Sequence, residues 1–304
     1  MKANEFSAKL LNADAQIWIE KLRQVLLIQD KGKGTVKGYT AEMILLFKYY
    51  NGKTVATITG AEIEQYIVYI KTVHQVGRAK CRSVASACSF FYKQVIKMPY
   101  VLPSALYPQK QFILPNIMSQ QEVTKLFAAA LSLKEYCVIG LLYGSGLRIS
   151  EVAALRIQDI ESASKRIKVV QGKGAKDRYT LLAGNLLDKL RQYYVAAKRP
   201  KHYLFTSTQT GRACHPRSMQ LVVTGAMKKA GFDQKGYTSH TLRHSFATHM
   251  LDNGSNIHVI KTLLGHSKLE TTMVYLHLQQ HTQFGIVSPM DKLLGGSHAT
   301  TNNK

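Results

Sequence analysis

Ser239-His240-Thr241-Leu242-Arg243 and, farther on, Leu263-Leu264-Gly265-His266-Ser267-Lys268-Leu269-Glu270-Thr271-Thr272-Met273-Val274-Tyr275 decide how this chain folds, because both pieces combine helix punctuation with reactive side chains. Thr238 or Ser239 can begin a helix that Asn253-Gly254 ends. Ser255 can begin the next, with Gly265 as its left-handed stop. Ser267 and Glu270 read as a capping box opening a short element that bears Tyr275. His240 stands three residues before Arg243, close to one helical turn, so the two side chains share a face.

Upstream, Tyr143-Gly144-Ser145-Gly146-Leu147-Arg148-Ile149-Ser150-Glu151 places Arg148 beside a helix start that Ser150 can cap. Between Arg166 and Leu182, two β-rich runs flank a glycine-containing turn, which predicts a β-hairpin with Lys173, Lys176 and Arg178 near its tip. These residue types suit one chemistry. A phosphodiester repels nucleophiles, and more charge gathers on its oxygens as the pentacoordinate state forms, so preorganised cations are needed. Arg148 and Arg243 can each grip two phosphate oxygens. The imidazole at 240 can accept a phenol proton or donate to a phosphate oxygen. A phenol such as Tyr275 is a poor nucleophile until a base or nearby cations favour its phenolate. His240 and His244 are also four apart, but the metalloprotease pattern needs Glu where Thr241 stands, and Arg243 would repel a cation. No Walker motif or metal-ligand cluster is present in the sequence, so neither metal nor cofactor is expected.

The ladder Arg148, Lys173, His240, Arg243, His266, Tyr275 resembles that of the tyrosine recombinases, the phage-type integrases, and fills all six positions of that family's catalytic set. The resemblance implies Tyr275 as nucleophile and Lys173 as the general acid that protonates the leaving 5′ oxygen. Alignment of Gly172-Lys173-Gly174-Ala175-Lys176-Asp177-Arg178 with the family's hairpin favours Lys173 over Lys176 for that role. It also implies a mainly α fold with a small β-sheet, made of an all-helical core-binding (SAM-like) domain and an α+β catalytic domain in a C-shaped clamp on duplex DNA. The implied reaction runs through a 3′-phosphotyrosyl link and a Holliday junction. The implied partners are double-stranded core sites with inverted repeats and a homo-tetramer on DNA, monomeric when free, with DNA-bending or directionality factors as further partners. An integrase or transposase of a mobile element, a Xer-like resolvase and a type IB topoisomerase share this chemistry, and a regulator that had lost catalysis would have substituted the ladder.

Composition agrees with a DNA partner. The 304 residues suffice for two domains, and a formal net charge of +23 draws polyanions. An anionic membrane is the competing target, but no run of about 18 apolar residues is present to cross one. The start lacks a secretory core, so a cytoplasmic, nucleoid-associated protein is expected. The four cysteines fit reduced thiols, with Cys81 and Cys88 on one helix face. Residues 8–97 read as four helices: one with Leu10, Leu11, Ile17, Ile19, Leu22, Val25 and Leu26 inward, one from Thr35 to Tyr50, one capped by Thr59 and one from Arg78 to Ile96. The last carries Arg78, Lys80, Arg82, Lys93 and Lys97 with no acidic residue among them, and with Lys37, Lys176 and Arg178 these are the candidate DNA-backbone contacts. Four prolines between 98 and 117 predict a linker, and Ser119 with Glu122 opens a catalytic domain over 118–284. The first helix begins near residue 8, so simple core sites without an arm-site domain are expected. Residues 285–304 include Ser288-Pro289-Met290-Asp291-Lys292-Leu293-Leu294, a capped helix start similar to the family's segment exchanged between protomers.

Overall fold

Side-chain caps set where the helices begin. The computed structural model describes residues 11–98, 114–170, 177–207 and 210–278, and the chain divides into two units, Met1–Phe112 and Ile113–Lys304. In the first unit, α1 (Ala13–Ile28) starts where Asn12 Oδ1 accepts the Ala15 N–H at 2.8 Å. Next come α2 (Lys33–Tyr49) and α3 (Gly60–Thr72), the latter capped by Thr59 as expected, with Glu62 completing a capping box. α4 (Arg78–Phe90) then runs into a π-helical turn, Phe91–Ile96, which ends at Lys97 with φ +64°. The wider winding replaces the single helix expected to Ile96 and lets consecutive Phe91 and Tyr92 both reach the core. That core joins Ile19, Leu22, Leu26, Phe47, Ile63, Val84 and Phe91, with Trp18 edge-on to Phe91. Cys81 and Cys88 are both buried there.

Three expectations for this unit need correction. Ile17 is 67% exposed and faces away from the core. α2 begins at Lys33, because Gly32 serves as its N-terminal cap and the second half of the Lys-Gly-Lys-Gly run is helical. The acid missing from the α4 sequence is supplied by α2: buried Glu42 holds Lys80 at 2.5 Å. Lys80 is thus half of an internal ion pair.

The second unit opens with α5 (Gln120–Ala128), capped by Ser119 and Glu122. α6 (Leu133–Gly144) is apolar through Cys137–Leu142 and lies in the middle of the main core. α7 (Ile149–Ala153) precedes a three-stranded antiparallel sheet of order β1-β2-β3: β1 (Ile160–Glu161), β2 (Arg166–Val169) and β3 (Arg178–Leu181). The β2–β3 pair is the expected hairpin, in register through Ile167 opposite Thr180; β1 was not expected, and at two residues it is too short to show an alternating pattern. α8 (Gly184–Ala196) and α9 (Pro216–Lys229) complete the main core. α10 (Ser239–Asp252), α11 (Ile257–Leu264), α12 (Glu270–Met273) and a 3-10 turn, Val274–Leu278, follow. They enclose a second small core of Phe246, Ala247, Leu251, Ile260, Leu264 and Tyr275.

Thr238, one of the two expected starts, caps α10, but Asn256 rather than Ser255 caps α11, its Oδ1 accepting the His258 N–H at 2.8 Å. α12 begins after Leu269 without a side-chain cap, so the Ser267–Glu270 box does not form. The segment 285–304 and the hairpin tip 171–176, which contains Lys173 and Lys176, lie outside the described residues.

Candidate active site

Five of the six ladder residues, Arg148, His240, Arg243, His266 and Tyr275, line one cavity of about 620 Å³. Its remaining wall is Leu114, Pro115, Asn116, His244, Thr271 and Val274, with no carboxylate among them. Each side chain arrives by a local device. Arg148 occupies the N-terminal cap of α7, and its backbone N–H donates to Glu151 Oε2 at 2.7 Å. The expected Ser150 cap is therefore displaced: Ser150 lies within the helix, and Glu151, three residues after Arg148, closes the box. Arg243 is only 4% exposed, and its guanidinium plane is fixed by donation to the carbonyls of Gly146 and, at 2.6 Å, Leu264. Gly146 has φ +61°, and a Cβ there would stand 2.5 Å from the Phe246 ring, so a glycine is required for that carbonyl to reach Arg243. His266 follows the left-handed Gly265; its Nδ1 is 3.0 Å from Thr272 Oγ1 and its Nε2 is 3.4 Å from Arg243. Because Arg243 can only donate, Nε2 is the accepting nitrogen and Nδ1 carries the proton to Thr272.

Glu151 is the residue the sequence reading passed over. It takes Arg148 Nη1 at 2.8 Å, both terminal nitrogens of Arg178 at 2.9 and 2.8 Å, and lies 3.8 Å from Arg243. Burial alone would raise this carboxyl, but the hydrogen bonds and charge of Arg178, with the Arg148 contacts, bring it down to about 2. Arg178 itself is buried and also donates from Nε to the Leu263 carbonyl at 2.8 Å. Its expected place on the DNA backbone is thus corrected: a carboxylate and a carbonyl already occupy its fork. The overlooked signal was Glu151 three residues after Arg148, inside a helix start.

The basic cavity disfavours further charge. Burial pushes His266 down to about 3 and His244 to about 4, each helped by Arg243. Burial, Arg243 and Arg148 also lower His240, which sits exposed at the cavity mouth. Arg243 falls to about 9 through burial and the Arg148 charge, and stays cationic at neutral pH. Burial raises the Tyr275 phenol, against the pull of Arg243 and Arg148. A preorganised pocket lined, among the described residues, by cations and imidazoles without a carboxylate stabilises a bound anion. His244, set aside in the sequence as a failed metal ligand, has its Nδ1 2.9 Å from the Tyr275 hydroxyl. Among the described residues no group of three or more metal-ligating side chains converges.

Of the other candidate DNA contacts, Lys37, Arg78, Lys93 and Lys97 are exposed, and Arg82 and Lys80 are partly buried. No described helix is long and apolar enough to cross a membrane.

Known proteins match this chain in both of its units. The phage integrase family matches residues 116–282, and the phage integrase N-terminal SAM-like domain matches 18–101. The chain is 31% identical over 277 residues to a putative integrase/recombinase, y4qK, of Sinorhizobium fredii, covering 90% of this chain and 88% of that one. It is 32% identical over 265 residues to a tyrosine recombinase of Pseudothermotoga lettingae, covering 84% and 91%. Among solved structures, XerA recombinase aligns over 93% of this chain and 99% of its own at 26% identity and a TM-score of 0.51. XerH bound to its difH substrate, in a post-cleavage complex, shares the fold at a TM-score of 0.69, with 18% identity over 93% and 84% of the two chains. The chain belongs to the phage integrase family, the tyrosine recombinases, and is a site-specific recombining enzyme of the tyrosine type.

Proposed function

We propose that Tyr275 attacks a DNA phosphate held in the cavity by Arg148 and Arg243, forming a 3′-phosphotyrosyl link and releasing a 5′ hydroxyl. The single observation carrying this is the convergence of Tyr275 with two guanidiniums and three imidazoles around a space that no carboxylate lines among the described residues. Phosphate oxygens take hydrogen bonds from the free edges of Arg148 and Arg243 and from His240 as charge builds on those oxygens, while His266, accepting from Arg243, holds that guanidinium in place. Lys173 protonates the leaving oxygen. Glu151 and Arg178 touch no DNA in this scheme; they position Arg148 and the carbonyl end of α11. The link conserves the energy of the broken bond, so the 5′ hydroxyl of a partner strand can reverse the attack without a nucleotide or metal.

The wider reading is a recombinase that works on double-stranded core sites with inverted repeats, as a monomer in solution and a homo-tetramer on DNA, exchanging strands through a Holliday junction. Lys37, Arg78, Arg82, Lys93, Lys97 and Lys176 supply backbone contacts, and 285–304 passes between protomers. Relatives support a mobile-element role: one solved relative is the Tn1549 transposon integrase in complex with transposon right end DNA. Accessory bending or directionality factors and a cytoplasmic, nucleoid-bound location fit the same reading. The test uses a nicked suicide duplex built on the inverted repeats flanking the gene. Tyr275→Phe should bind it as the parent protein does and form no covalent adduct; an adduct surviving that change overturns the assignment. Four-way junctions should form with two intact duplexes, whereas cleavage and resealing without junctions would indicate topoisomerase-type nicking.

A further inference from the structure

The roles above leave the phenol proton without a destination, and one contact in the cavity supplies it. We propose that His244 is the base that takes the Tyr275 proton during attack and returns it during rejoining. The inference rests on Tyr275 being the nucleophile. His244 Nδ1 lies 2.9 Å from the Tyr275 hydroxyl, with the two rings 5.7 Å apart and inclined at 50°. Such a distance is within the reach required of a general base.

The other imidazoles are worse placed. His266 stacks on Tyr275 at 6.4 Å and 17° between planes, so it presents its face, while its Nδ1 is spent on Thr272 and its Nε2 faces Arg243. His240 is one turn farther toward the mouth, its ring 6.4 Å from that of His244. Water is a poor alternative, since Tyr275 is only 2% exposed.

Among the described residues, the charged and titratable groups around His244 are His240 and Arg243 on its own helix, Arg148 at the start of α7, His266 after α11 and Tyr275 itself. Burial, His240 and Arg243 keep the imidazole neutral near pH 7. A neutral ring protonated at Nε2 leaves the Nδ1 lone pair facing the phenol. Burial meanwhile disfavours a standing phenolate. The proton therefore leaves as the attack proceeds, and arrival of the phosphate adds negative charge that makes His244 more basic at that moment. In the forward step the Oη–P bond forms, the P–O5′ bond breaks, the phenol proton passes to Nδ1, and the proton on the leaving oxygen comes from Lys173. Rejoining reverses each transfer: the 5′ hydroxyl attacks, its proton returns to the lysine, and the imidazolium protonates the departing phenol oxygen.

The test follows adduct formation on the same suicide duplex with a 5′-bridging phosphorothiolate at the scissile position, whose thiol leaving group needs no acid. His244→Asn can place an amide oxygen near the Nδ1 position and accept the phenol hydrogen bond, but cannot take the proton. Duplex binding should persist and adduct formation should fall about 10²- to 10³-fold. The residual rate should then climb about tenfold per pH unit between about pH 6 and pH 8 as phenolate becomes available, while the parent enzyme and His240→Asn stay flat. A rate within about threefold of the parent overturns the proposal, as does a loss without the new pH slope, which would mark His244 as a positioning residue. Should His244→Asn fail to fold, the parent profile decides, because a tenfold rise per pH unit in the parent itself excludes a neutral base. An adduct formed by Tyr275→Phe would sink the nucleophile assignment instead, so the two failures are separable.

Discussion

One carboxylate organises three guanidiniums in this site. Glu151 lies under Arg148, Arg178 and Arg243, and its folded pKa of about 2 is below its ordinary value of 4.5. A carboxyl depressed on folding contributes stability that is fully present above the unfolded value and is lost as pH falls through the folded one. The difference corresponds to about 3 kcal/mol. Glu151→Gln removes this contribution and leaves Arg178 buried against a neutral amide, so at neutral pH the variant should unfold at clearly lower urea concentration. The gap between the two proteins should then hold down to about pH 5 and narrow steadily from there toward about pH 2; a gap independent of pH would mean that Glu151 does not titrate with folding. Arg148, His240, Arg243, His266 and Tyr275 were legible in the sequence because the ladder gives their order and the helix signals give their faces. Glu151 was not, since its strongest partner, Arg178, is 27 residues away on a strand and only the fold joins them. His244 was visible as a helical neighbour of His240, but its partner Tyr275 is 31 residues on.

At the level of elements, the turn that ends α11 is where backbone geometry and the site meet. Gly265 has φ +64°, and a Cβ there would come within 2.7 Å of Arg178 Cδ. Gly265→Ala thus combines left-handed strain, of order 1–3 kcal/mol, with displacement of the side chain that ties β3 to Glu151 and to the Leu263 carbonyl. Adduct formation should drop at least about tenfold together with thermal stability. Gly254 is the control: its φ is +80° but no atom lies within 4 Å of the added Cβ. Gly254→Ala should lower stability by about 1 kcal/mol and leave adduct formation unchanged. Equal catalytic loss in both variants would show that strain alone, not the Arg178 contact, limits the turn. Both left-handed stops were readable from sequence, as were the Thr59, Ser119 and Thr238 caps, because a cap needs only neighbours within three residues. The Ser267–Glu270 box failed for the complementary reason. In the folded chain His266 hydrogen-bonds Thr272 and α12 starts only after Leu269, so tertiary contacts override a local pattern worth about 1 kcal/mol.

Across the whole molecule, charge decides how duplex DNA is met, but not every cation is available for it. The net charge of +23 gives binding a counterion-release component whose slope in a plot of log affinity against log salt is about −0.9 for each phosphate neutralised. Lys80 is bound to buried Glu42 and Arg178 to Glu151, so the sequence overstated the basic face by at least these two. Lys93, within the π-helical turn, and Lys97, just after it, are by contrast exposed. Under conditions where every protein stays folded, Lys93→Gln and Lys97→Gln should each reduce the magnitude of the salt slope by about 1 and weaken binding alike on different sequences. Lys80→Gln should leave the slope unchanged, although it strands the Glu42 carboxylate and lowers the melting temperature. Salt titrations of a fluorescent duplex separate the cases. A slope that falls with Lys80→Gln and not with Lys93→Gln or Lys97→Gln would mean that Glu42 releases its partner on DNA, and that the phosphate-facing side of this helix is the opposite one.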